Sequence, residues 1–139
     1  MAIIIDADEH KPENLARSIC GSLKAKTGTS DIKLIKIDKD IFEHRSVFRV
    51  NILVKVVGDY NLPYEKHTID DYVLRLLMLE NIIDGGKIKK YSSGKECVDE
   101  FTRLNNTSVR KLILEAQLKN IQEAFENLVK YLKTVFDRT

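Results

Sequence analysis

Three groups of residues have side chains that could do chemistry. The first is Ile3-Ile4-Ile5-Asp6-Ala7-Asp8, an apolar run ending in two carboxylates one residue apart, with Glu9 and His10 next in line. Carboxylates at a strand end can bind a divalent cation, attack an electrophile or pass a proton. The second group is Lys87, Lys89, Lys90 and Lys95 around Tyr91, a local cationic patch that could meet a phosphate backbone. The third is the histidines. His10, His44 and His67 are scattered through polar stretches, each beside a charged neighbour, and no Ser or Cys nucleophile signature accompanies them.

The strand ending in Asp6-x-Asp8 resembles the first motif of haloacid-dehalogenase-type phosphotransferases. That resemblance implies a nucleophilic Asp6, an acid–base Asp8 and a bound Mg²⁺. The pattern departs at His10, where the family carries Thr or Val, and the chain is short for the usual βαβ array. From the residues alone, the two carboxylates end a strand and stand at the entry to a helix, where negative charge is favoured. A metal-dependent hydrolase-like site at Asp6 and Asp8 is therefore an alternative expectation. The leading one has no catalytic residue, no metal and no cofactor.

The lysine patch is similarly an alternative, an RNA-binding edge over residues 87–95. Sheets that bind RNA stack bases on aromatics of their central strands. Here the corresponding strand offers only Phe48. A net charge of +2 across 139 residues supplies no general attraction to nucleic acid or an anionic membrane. No run of eighteen apolar residues occurs, so no membrane span is expected. Asp6 interrupts the first apolar run too early for a secretory leader. Cys20 and Cys97 lack CxxC neighbours and sit at apolar positions, which predicts reduced core thiols and a cytoplasmic protein.

The elements that would position these residues follow from periodicity. Ala2 to Ile5 predicts a short strand. Pro12 opens a helix on Leu15, Ile19 and Leu23, stopped by Gly28. Ile32 to Ile37 predicts a strand, Lys39 to Ser46 a polar turn, and Phe48 to Val57 the clearest strand. Phe48, Val50, Ile52, Val54 and Val56 mark one face of that strand, and Arg49, Asn51 and Lys55 a polar one. A capping box at Thr68 and Asp71 opens a helix to Ile83 that is apolar nearly all round, hence covered on two sides by the sheet and the final helix. Lys87 to Tyr91 predicts an edge strand. Ser93 with Glu96 caps a short helix.

The order is βαββαβ followed by two helices. That predicts an α+β domain over residues 1–139 of ferredoxin-like order, or a β-hairpin flanked by helices, with a core over 1–91 and a helical extension over 92–139. The extension predicts function. From Thr107 to Asp137, capped by Asn106 or Thr107, the seam Leu114, Leu118, Ile121, Phe125, Leu128, Leu132 and Val135 reads as one uninterrupted helix. At about 1.5 Å per residue such a rod is about 45 Å long, against a domain diameter of about 37 Å. The overhang predicts a non-enzymatic protein that works by association, as a homodimer or on a protein partner, through this seam.

Overall fold

The computed structural model describes residues 1–47 and 50–138. Phe48 and Arg49, predicted to open the clearest strand, lie outside the described residues. Four strands form one sheet: β1 (Ala2–Asp6), β2 (Lys33–Asp38), β3 (Ile41–Val47) and β4 (Val50–Val57), in the order β1-β4-β3-β2. β2, β3 and β4 form an antiparallel meander, and β1 adds parallel to β4. Helix α1 (Pro12–Thr27) carries the chain from β1 to the far edge. Pro12 stands at its start, and Gly28 ends it at φ 68, where its amide reaches back to Lys24 O.

This is a mixed α/β fold, and its strand order is not the ferredoxin-like one. Two local assignments account for the difference. Lys39–Ser46, expected to be a turn, is mostly strand β3. Its polar residues Glu43 and His44 are buried between layers, which periodicity alone cannot separate from a solvated loop. Lys87–Tyr91, expected to be a strand, is instead covered by a 3-10 turn over Gly85–Lys90, begun by Asp84 accepting from the amide of Gly86 at 2.8 Å.

Both faces of the sheet are covered. Ile52 and Val54 pack with Cys20 and Ile32, and Phe42 and Val56 with Ala7 and Ala16, all on the α1 side. On the other side Ile41 and Leu53 pack with Tyr131, Leu128 and Val135 of the last helix. Lys55, which by alternation marks the polar face of this strand, lies on that second face and is fully buried.

The remaining helices are α2 (Asp70–Leu79), α3 (Gly94–Leu104), α4 (Val109–Glu115), α5 (Leu118–Ala124) and α6 (Glu126–Asp137). α2 packs on α3, α4 and α5, so the cover expected from the sheet comes from other helices. Their core is Leu62, Tyr64, Val73, Leu74, Leu77, Ile88, Cys97 and Val98, with Phe125 against it. Ser93 caps α3 as expected: its hydroxyl accepts from the Glu96 amide at 3.1 Å, while the Glu96 carboxylate accepts from the amide of Ser92, one residue before the cap, at 2.7 Å. The box at Thr68 does not form, because Asp71 turns inward to His67.

The single long helix is broken twice. Ser108, not Asn106 or Thr107, caps α4, accepting from Lys111 N at 3.2 Å. Ala116 and Gln117 are extended, with ψ 154 and 133. The opened amide of Gln117 is taken by Glu80 Oε1 at 2.7 Å, which also accepts from Asn120 at 2.9 Å. A second kink at Phe125 sets its ring edge-on to Tyr72 at 5.9 Å and turns α6 along the sheet. A carboxylate from α2 thus does the capping that α5 lacks locally.

Replacing Glu80 with alanine should lower unfolding free energy by ~1 kcal/mol in urea titration, the loss typical of a helix cap. Glu80→Gln, whose amide oxygen still accepts, should recover most of it.

Candidate functional site

Parallel strands β1 and β4 end together at Asp6 and Val57, and the polar side chains of the fold gather there. Lys55 comes from β4 and Asp40 from the β2–β3 turn. Their Nζ and Oδ2 atoms are 2.5 Å apart, both side chains almost wholly buried, yet the ammonium makes no well-angled hydrogen bond. Burial pulls Lys55 below the ordinary lysine range, and Asp40 opposes that shift.

The chain leaves β4 through Gly58, whose φ of 148 suits glycine and whose missing Cβ would stand 2.5 Å from His67 Cβ. Next, Asp59 N donates to Asp71 Oδ2 at 2.9 Å, and His67 Nδ1 lies 2.8 Å from the same oxygen. Asp71 Oδ1 has no partner and packs against Gly94, where a Cβ would come within 2.4 Å. Burial raises the Asp71 carboxyl, against the pull of the Asp59 amide and His67. Tyr60 stacks at a tilt on His67, with ring centres 4.5 Å apart, and donates to His10 O at 2.8 Å.

Above this cluster lies an open cleft of about 320 Å³, lined by Lys39, Asp40, Asp59, Tyr60, Asn61 and Asn127 among others. Its walls offer carboxylate and amide acceptors near the C-terminal ends of parallel strands, a usual place for ligands in α/β folds. The His67–Asp71 pair has the form of an oriented imidazole. Both groups are buried, however, and each bond ties the β4–α2 loop to α2, so this chemistry serves to anchor a loop.

The residues singled out by sequence fall in several places. Asp6 Oδ1 accepts from Ile69 N at 2.9 Å, and Asp8 pairs with His67 through two backbone bonds of 2.8 Å. Both carboxylates are therefore at this end of the sheet. Among the described residues no three His, Cys, Asp or Glu side chains are grouped to hold a metal ion. His44 is buried under α1, its Nε2 3.1 Å from Ala16 O. Lys87, Lys89 and Lys90 lie on the 3-10 turn and Lys95 on α3. Lys90 pairs with Glu100 and Lys95 with Asp99, so half of the patch is balanced by acids.

The expected interface residues are dispersed by the helix breaks. Phe125 joins the helical core, and Leu128 and Val135 join the sheet core. Ile121 is half-buried and Leu132 is 40% exposed, while Leu114 and Leu118 are 74% and 69% exposed at the corner between α4 and α5. The overhanging rod does not exist.

A different apolar surface does exist, along β1. Ile3 and Ile4 are 36% and 45% exposed on an edge strand. The sequence predicts a short apolar strand here; its position at an edge follows only from the parallel pairing with β4. Strand alternation places Lys55 on a polar face and says nothing of a helix that buries it, so the ion pair with Asp40 is not legible locally. Its signal was the apolar stripe of α6, which needs a sheet face to cover.

The sequence matches no protein-family model, and neither a curated protein nor a solved structure is detectably similar to it.

Asp40→Asn leaves a buried ammonium without its counter-charge and should cost about 3–5 kcal/mol by denaturant titration. Lys55→Met in that background should restore much of it. Because the folded chain releases the Lys55 proton below the value of the unfolded chain, the Lys55 contribution is least favourable at low and neutral pH. It becomes more favourable as pH rises through the folded value. Lys55→Met should remove that alkaline gain from a stability–pH profile.

Proposed function

We propose that this protein works by association, first of all with copies of itself, and not by catalysis. One observation carries the reading: over Ala2–Ile4 the β1 edge is apolar, exposed and, among the described residues, unpaired. An open sheet edge offers a row of unpaired amides and carbonyls, and soluble proteins usually blunt it with charge, bulges or a cover. The opposite edge follows that practice. β2 carries Lys33 and Lys36 and a register shift at Lys36–Asp38. β1 has three isoleucines and no charge before Asp6. Further exposed apolar residues, Leu104, Leu114 and Leu118, add to the surface that a single chain leaves uncovered.

The buried and separate thiols of Cys20 and Cys97 suit a reducing compartment, and the proposed setting is the cytoplasm. Among the described residues no helix is long and apolar enough to cross a membrane.

Sedimentation equilibrium from low to high micromolar protein tests the reading. The weight-average mass should rise from the chain mass of 16.0 kDa towards twice that value. A mass that stays at one chain throughout overturns it.

A further inference from the structure

We infer that the partner is a second copy joined edge to edge through β1, the two strands antiparallel about a two-fold axis, so that two four-stranded sheets become one of eight. The inference rests on the association reading and selects the surface and the geometry.

The ladder fixes which groups are free. Leu53 N donates to Met1 O, and Ala7 N donates to Val57 O, so the odd-numbered residues of β1 turn their backbone groups towards β4. The amides and carbonyls of Ala2, Ile4 and Asp6 therefore point away from the sheet. Beyond Asp6 the edge is closed, because His67 pairs with Asp8 and the Ile69 amide meets Asp6. The open stretch is Ala2 to Ile4. Antiparallel pairing of Ala2 with Ile4 of the second copy, and the reverse, makes four hydrogen bonds and satisfies those outward groups. It places Ile3 opposite Ile3 on the axis, and Asp6, the one charge of the strand, outside the paired stretch. No like charges meet.

Side-chain direction supports the same axis. In register with Val54, Ile3 shares the α1 face, where two copies of Ile3 would form a close cross-strand pair. Ile4 is in register with Lys55 and shares the α6 face. α6 stands over this part of the sheet, since the Tyr131 hydroxyl donates to Ile3 O at 3.0 Å and to Leu53 O at 3.1 Å. One flank of α6 faces β2 and β3: Lys130 feels Asp38 and Asp40, and Arg138 pairs with Glu43. At about 100° per residue, Leu132 falls on the other flank, towards the β1 edge. It is 40% exposed. A second copy would cover it together with Ile4.

Size sets the strength. A five-residue strand is about 17 Å long, and with its flanking helix it offers a face well under the roughly 800 Å² per partner of a standard stable interface. The dimer is reversible, with dissociation in the micromolar range.

Four variants test this, each checked for native circular dichroism and melting. Ile4→Lys and Leu132→Glu should each weaken self-association at least tenfold in sedimentation equilibrium, whereas Leu118→Glu should leave it unchanged. Ile3→Cys should form an intermolecular disulfide under mild oxidation, because Cα atoms of a non-hydrogen-bonded antiparallel pair lie about 4.5 Å apart, within disulfide reach. The native thiols are buried and do not compete. A dimer that survives both edge variants, or that gives no Ile3→Cys disulfide, overturns the β1 geometry while association stands. Loss of the dimer in Leu118→Glu alone moves the interface to the α4–α5 corner. A wild-type chain that is monomeric at every concentration removes association itself. Should Ile4→Lys fail to fold, the Ile3→Cys disulfide and Leu132→Glu decide.

Discussion

One phenol joins the two ends of this fold. The Tyr131 hydroxyl sits over the gap between β1 and β4, bonded to a carbonyl of each, and its ring is almost wholly buried on Leu53 and Ile41. Burial raises its pKa above the ordinary phenol value, which keeps it a neutral donor. The bond to Ile3 spans 128 positions of chain. For it to form, α6 must lie flat along the sheet, and that requirement shapes the helices before it.

α2 to α5 build their own core at the end of the sheet where β1 and β4 finish. A straight helix from Thr107 to Asp137 could not serve both this core and the sheet face. The chain therefore bends twice, and each bend has a tertiary partner. Glu80 takes the amide exposed at Gln117, and Tyr72 receives the ring of Phe125. Nothing within 107–137 marks these bends, because no Gly or Pro stands there.

Covering both faces also explains the charges inside. α6 closes over Glu43 and Lys55, which then need partners. Burial alone would raise Glu43, but Arg45 and Arg138 outweigh it and hold its carboxyl below the ordinary value. Asp40 compensates Lys55. At the strand ends Gly58 and Gly94 let Asp71 and His67 pack against backbone. The polar cluster is thus a consequence of layering, and it fixes the loop that closes the far part of the β1 edge. What stays open is the three-residue window at Ala2–Ile4.

Local signals were readable in the chain by itself. Pro12 and Gly28 bound α1, Ser93 with Glu96 begins α3, and the alternation of Ile52, Val54 and Val56 marks the α1 side of β4. These depend on backbone geometry and neighbours within four residues, so a sequence carries them directly. Strand order, the β3 strand among polar residues, the burial of Lys55 and the exposure of β1 depend on which distant segment lies alongside. The seam of the last helix shows the limit best. Its spacing places apolar residues along one side, but does not say whether that side meets one surface or three. That choice belongs to Glu80, Tyr72 and two strand carbonyls far away in the chain, and only folding brings them together.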